Sequence, residues 1–260
     1  MVDDDPVLLE VKGAVAVISL NRPDQHNMVG DAADALFFRY LDLLRNDRDV
    51  RAVIWRGNGP SFSSGRDLAE VHDHPGATDL EFVERNQWQT RLLYDFPVPI
   101  VCALKGWVLG IQLERALLCD IRVAAESAAL ALPAIDHGVI PDSAGIAKLY
   151  EIGGSALALD LALTGRRVSA DEALQIGLVS HVVTDDELDD VALDLAGRIA
   201  ERPPLAVRLI REHVQALASS GVRSTLQREL VGQAMVLGSH DYREHLQARA
   251  EDREPCFERR

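Results

Sequence analysis

Cysteine and basic residues are both scarce in this chain of 260 residues. The three cysteines, Cys102, Cys119 and Cys256, stand far apart and without metal-ligand spacing. They read as reduced thiols, and neither a disulfide framework nor a cysteine metal site is expected. Lysine and arginine number 27 against 41 aspartates and glutamates, a formal net charge of -14. A surface that tracks phosphates needs the opposite excess, so nucleic acid and anionic membranes are not expected partners. No apolar stretch reaches the ~18 residues of a membrane span. The segment from Met1 to Pro6 is acidic, where a signal peptide starts positive. A cytoplasmic protein is the expectation.

What is present is ordinary globular material, 47% hydrophobic and 26% charged, enough for one large core with a smaller appendage. Val7 to Val11 and Ala14 to Leu20 are β-branched runs separated by Lys12-Gly13, which predicts a hairpin. From Asp31 to Leu44, Ala32, Ala35, Leu36, Leu41 and Leu44 recur at helical spacing. Buried strands are expected at Ala52 to Trp55, Ile100 to Leu104 and Ile121 to Ala124, with a further strand at Leu178 to Val183. This alternation favours an α/β architecture. Helices are expected at Glu187 to Ile199, Leu205 to Ala218, Arg223 to Leu237 and Asp241 to Glu251. The division that follows is a core over 1–200 and a helical region over 201–260, with no linker or repeat between them.

Two segments have the makings of a site. Gly57 to Leu68 follows a strand and is rich in glycine and serine. If a helix begins near Asp67, the N–H groups around Gly65 and Arg66 lie free at its positive end and suit an anion, although an ordinary turn has the same composition. Gly106 to Asp120 repeats the arrangement, with Gly110 ahead of a helical pattern and Ile111 as a second donor. Glu114 falls one turn into that helix. A carboxylate there suits proton transfer beside a stabilised oxyanion, or simply favours the helix dipole. His72-Asp73-His74 lacks a third ligand for a metal, and Ser61, Ser63 and Ser64 lack an activating histidine at known spacing.

These segments, taken in order with Asn21-Arg22-Pro23, Asn27, the Pro133 segment with Gly138 and Pro141, Thr164-Gly165 and Ala170 to Val179, resemble the enoyl-CoA hydratase/isomerase (crotonase) superfamily over nearly the whole chain. The resemblance implies a crotonase-like spiral of ββα turns forming two nearly perpendicular sheets. It further implies a helical C-terminal trimerisation region and a homotrimer or dimer of trimers. The implied substrate is an acyl-CoA thioester, with coenzyme A entering as part of that substrate and no other cofactor or metal. By the same resemblance the backbone N–H groups of Arg66 and Ile111 form an oxyanion hole and Glu114 is the principal acid/base. Arg22, Gly65, Asp67, Leu68, Gly110, Pro133 and Ala134 contact substrate, and Trp107, because it precedes the second oxyanion segment, is expected as a wall of the acyl pocket.

The chain also departs from the family pattern. Family hydratases hold one water between two glutamates, and the second position is Ala134 here. Asp136 or Asp142 then stands as the replacement, Asp142 matching a catalytic aspartate of the dienoyl-CoA isomerase branch, or else capping its loop. Asp24 and Asp252 occupy positions where relatives carry lysines that meet CoA phosphates, leaving Arg22, Arg66 or Arg249 for that contact. Ile111 and Gln112 replace usual glycines, and a β-branched residue resists positive φ. Enoyl-CoA hydration, enoyl- or dienoyl-CoA isomerisation and a catalytically weakened acyl-CoA binder all remain open on the sequence.

Overall fold

Strands buried on both faces need apolar residues at every position rather than at alternate ones, and the runs Val15 to Ile18, Ala52 to Trp55 and Ile100 to Leu104 meet that need. In the computed structural model, which describes residues 5–72 and 78–257, β1 (Val7–Lys12) and β2 (Val15–Leu20) form an antiparallel hairpin. The strands β3 (Ala52–Gly57), β4 (Ile100–Leu104), β6 (Ile121–Ala125) and β9 (His181–Val183) extend the sheet in parallel in the order β1-β2-β3-β4-β6-β9. A second sheet joins β5 (Trp107–Leu109), β7 (Ala129–Ala131) and β8 (Val168–Ser169).

Alternate residues of the large sheet enter two different cores. Ile18, Val53, Trp55, Cys102, Leu104 and Ala124 face the main core, where the Trp55 ring lies 4.7 Å from Phe37 and 5.0 Å from Phe62. Val17, Ile54, Val101, Ala103 and Val123 face α7 (Leu188–Ala200), which packs through Leu188, Ala192, Ala196 and Ala200. A stripe of small residues at a spacing of four lets that helix lie close to the sheet.

Several expectations need correction. In α1 (Asp31–Asn46) the buried face is Ala33, Phe37, Phe38, Leu41 and Leu44, whereas Ala32 and Ala35 are exposed; the bulkier aromatics take the core side. The strand at β9 begins only at His181, because Leu178 and Val179 donate their N–H groups to the Ala173 carbonyl across a turn at Gly177, φ +81°. The two helices expected over 205–237 are one, α8 (Pro204–Leu237). A single glycine, Gly221, costs about 1 kcal/mol in a helix, and burial of Val222 and Leu226 immediately beyond it offsets that. The chain ends in α9 (His240–Ala250). Leu209, Ile210, Val214 and Leu217 of α8 are exposed.

One further helix buries polar residues alongside apolar ones. The buried side of α3 (Asp79–Tyr94) includes Asn86, Gln87 and Thr90, and its start is fixed by a capping box between Thr78 and Glu81. The helix α5 (Gly145–Thr164) is kinked at Gly154, φ +71°. The short α2 (Leu68–His72), α4 (Ile111–Leu118) and α6 (Ala170–Gln175), with 3-10 turns at Pro23–Gln25 and Pro133–His137, complete the described elements.

The core contains one ionic cluster. Asp34 on α1 points inward, its carboxylate taking two hydrogen bonds from Arg115 of α4, 2.7 and 3.0 Å, and a third from Arg66, 2.9 Å. The Arg115 side chain is fully buried and stacks over Phe38 at 5.1 Å. Removing one partner of such a pair strands the other charge without water. Asp34→Ala should therefore lower the unfolding free energy by about 3–5 kcal/mol in urea titration; a loss below about 1 kcal/mol would show that water enters to solvate Arg115.

Candidate active site

The two glycine-rich segments are stitched to one another before they reach any ligand. Ser63 N–H donates to the Trp107 carbonyl at 2.8 Å, and Leu109 N–H donates to the Ser63 carbonyl at 3.0 Å. Ser63 Oγ donates to the Asn27 carbonyl at 2.6 Å, and a parallel bridge joins Val29 to Arg66. Gly65 sits at φ +97°, where an added Cβ would lie 3.1 Å from the Leu109 carbonyl oxygen. Only glycine takes that φ without strain and permits that approach.

The positive φ of the second segment falls on Gly110, +57°, so Ile111 is spared it and begins α4 in helical conformation. Neither the Arg66 nor the Ile111 N–H has an acceptor among the described residues. Both residues line a cavity of about 140 Å³ together with Gly65, Leu68, Gly110, Pro133 and Ala134. The Arg66 side chain turns away into the ionic cluster, bonded to Asp34 and Asp31, and is thereby committed elsewhere than to a CoA phosphate.

Glu114 and Asp142 line the same cavity. Glu114 is 3% exposed, and one of its oxygens, Oε2, accepts from Ser143 N–H at 2.9 Å and Gly145 N–H at 3.0 Å. Burial first, and then the Asp142 charge, push its pKa up to about 8, against the two N–H bonds and Arg115, which lower it. Burial also raises Asp142, opposed by Arg115 and Arg66. Gly145 has no room for a side chain: a Cβ there would stand 2.6 Å from Glu114 Cγ.

Between those two donors lies Ala144, a buried residue at φ +68° that donates its N–H to Oε2 of Glu229 on α8, 2.9 Å. Glu229 is 3% exposed, and its Oε1 has no hydrogen-bond partner in the structure. Burial and the nearby Glu114 raise its pKa to about 9. Three consecutive N–H groups thus serve two carboxyl groups on different helices. Glu229 lies 85 positions beyond Ala144, and no local spacing in the sequence points to it.

The remaining expected residues lie elsewhere. Trp107 does not line the cavity; its ring is covered by the Arg167 guanidinium at 4.4 Å. Asp67 accepts from Ala69 N–H at 3.0 Å and caps α2. The Arg22 backbone is tied to Asn27, donating its N–H to Asn27 Oδ1 and accepting from Asn27 N–H, and Asp136 is exposed, outside the lining. Of the two candidate aspartates, Asp142 is the one that meets Glu114. The His72 side chain, Asp73 and His74 lie outside the described residues. No helix among the described residues is long and apolar enough to cross a membrane.

Residues 10–260 match the family model described as enoyl-CoA hydratase/isomerase. A probable enoyl-CoA hydratase of Bacillus subtilis is 34% identical over 253 residues, 96% of this chain and 98% of the relative. The human mitochondrial enoyl-CoA hydratase domain-containing protein 2 is 35% identical over 94% of this chain and 85% of its own length. The crystal structure of an enoyl-CoA hydratase/isomerase from Pseudoalteromonas atlantica superposes with a TM-score of 0.89 at 30% identity, covering 97% of this chain and all of that one.

The raised pKa of Glu229 makes a stability prediction. An acid that keeps its proton in the folded state up to about 9, but loses it near ~4.3 when unfolded, stabilises the fold below the unfolded value. That contribution falls away as pH climbs toward 9. Glu229→Gln keeps an acceptor for Ala144 and cannot ionise, so its melting temperature should fall less steeply than wild type between those two pKa values. Parallel curves would show that Glu229 is ionised throughout.

Proposed function

The chain belongs to the enoyl-CoA hydratase/isomerase family, and on that footing we propose that it catalyses an enolate-forming proton transfer on an acyl-CoA thioester, moving a carbon–carbon double bond. The observation that carries this reading is the pairing of Glu114 with Asp142 on the cavity that the free Arg66 and Ile111 N–H groups border.

In this reading the thioester oxygen sits between the two N–H groups. Removal of a proton from the carbon beside the carbonyl leaves the electron pair delocalised onto that oxygen, where fixed donors are worth more than in the ground state. The proton returns at the far end of the allylic system, the electrons flow back, and no water or redox partner is consumed. Two buried carboxyls near one another do not both ionise readily, so at neutral pH the pair holds one proton and offers one base and one acid. The chemistry asks for no resident cofactor beyond the coenzyme A of the substrate. A homotrimer or dimer of trimers is the assembly proposed, supported by the exposed apolar residues of α8.

Hydration is the second reading, favoured by the relative named probable enoyl-CoA hydratase. It requires a water held without help from Ala134, which lines the cavity but offers no acceptor. A 3-enoyl-CoA that shifts to 2-enoyl-CoA without further conversion to the 3-hydroxy ester supports isomerisation, and rapid hydration of crotonyl-CoA supports the alternative. Binding with no turnover of either would leave a weakened acyl-CoA binder.

Glu114→Gln should lower turnover at least about a hundredfold with little change in acyl-CoA affinity, checked by kinetics alongside calorimetric titration; parallel loss of affinity would make the residue structural. The pH profile gives an independent check. Loss of the shared proton should impose an alkaline limb near pH 8, the value to which Glu114 is raised. Because Asp142 contributes part of that rise, Asp142→Asn should shift the limb of the residual activity to lower pH. A limb that stays in place would separate Asp142 from Glu114.

A further inference from the structure

Two buried amides border the cavity, and neither is used by the chemistry above. Asn86 on α3 is 3% exposed and Gln233 on α8 is 6% exposed, and both line it. Neighbouring donors settle which way each amide points. The Asn86 oxygen accepts from the Arg66 guanidinium at 3.5 Å, and the Gln233 oxygen accepts from Ile140 N–H at 3.0 Å. A guanidinium and a backbone N–H only donate, so each must face an oxygen. The NH2 group of each amide is therefore the free end, and neither has an acceptor among the described residues.

Their position places them on the acyl side of the reaction. Gln233 is one helical turn beyond Glu229, which holds the loop of Glu114, and Gln87, the neighbour of Asn86, donates to the Asp142 carbonyl at 3.3 Å. An acyl chain running from the thioester oxygen past the two carboxyl groups arrives among residues of α3, α8 and α9. There it also meets Tyr242, His137 and His245, whose imidazole rings lie 5.8 Å apart. A pocket meant for a plain alkyl tail gains nothing from buried amide donors, because covering them with hydrocarbon costs the hydration they give up.

We infer that the pocket takes an acyl group bearing a hydrogen-bond-accepting oxygen, such as a hydroxyl, oxo or carboxylate group, beyond the reacting carbons. Asn86 and Gln233 donate to that oxygen. The inference rests on the proton-transfer reading above, which supplies the direction of the acyl chain. A site built to hydrogen-bond a substrate oxygen rejects the analogue that lacks it more strongly than an apolar pocket rejects an extra methylene.

The test uses the full-length protein and a panel of 3-enoyl-CoA and 2-enoyl-CoA esters of matched length, ending in methyl, hydroxyl, ketone or carboxylate. The expected result is a kcat/KM at least about tenfold higher for one oxygenated ending than for methyl. Asn86→Asp and Gln233→Leu should each lower that oxygenated-to-methyl ratio at least about fivefold. Asn86→Asp keeps the side chain's size and an oxygen facing Arg66 while losing the donors, so it guards against a ratio lost through misfolding; because it also adds a negative charge beside the cavity, its ratio is read on the hydroxyl and ketone endings. Equal or better use of the methyl ester, with the ratio unmoved in both variants, overturns the inference and leaves water as the partner of the two amides. Turnover of no ester would defeat the enzymatic reading instead. The affinities of saturated acyl-CoA esters with and without the terminal oxygen then decide the inference: tighter binding of the oxygenated ester that is lost in Asn86→Asp supports it, and equal binding overturns it.

Discussion

Everything at the candidate site depends on three successive backbone N–H groups having somewhere to point. Ser143, Ala144 and Gly145 turn the chain into α5 at a non-glycine positive φ, a conformation that costs on the order of 1–3 kcal/mol unless its surroundings hold it. Two carboxyl groups hold it from different helices, Glu114 through the outer N–H groups and Glu229 through the middle one. The same bonds that shape the loop fix the Glu114 rotamer. They also use only one of its oxygens, and a carboxyl oriented at one end while its other oxygen is spared is well suited to handling a proton.

A similar division of labour governs Arg66. Its guanidinium is drawn into the cluster with Asp34, whose carboxylate also secures Arg115, and this leaves its backbone N–H as the part presented to the cavity. Buried ion pairs of this kind are weak evidence for net stability, since desolvation consumes much of the attraction. What the cluster does is geometric: it ties α1, α4 and the loop before α2 to one point. The loop carrying one N–H and the helix opening on the other are therefore referenced to the same carboxylate.

The sheet was legible in the sequence because burial on both faces leaves unbroken apolar runs, as in Ala52 to Trp55 and Ile100 to Leu104. The glycine-rich turns were legible for the opposite reason, since Gly65 and Gly110 have backbone conformations that other residues take only under strain. Helix α3 was not, because part of what it buries is polar, and periodicity analysis counts only apolar residues. The pairing of Glu114 with Asp142 was legible only through the family resemblance, which matched each to a catalytic carboxylate. Glu229, Gln233 and Asn86 reach the site through tertiary packing of α8 and α3 against the loop, a kind of contact that no spacing along the chain encodes. Trp107 misled for the converse reason: adjacency in sequence to the second loop placed its ring on the side of Arg167.

The reach of α8 also has a consequence for biosynthesis. Chain made through the 142–145 loop already holds Glu114, yet the partner of the Ala144 N–H lies 85 positions beyond Ala144. A growing chain holds most of its large sheet earlier, since all its strands but β9 lie within the span from Val7 to Ala125. The loop beside Glu114 must wait for the last helices before its conformation is fixed, as expected of contacts that close large intervals of sequence. The scaffold and the candidate site therefore draw on different stretches of chain, and a chain that ends before α8 contains most of the sheet but lacks the carboxyl that takes the Ala144 N–H.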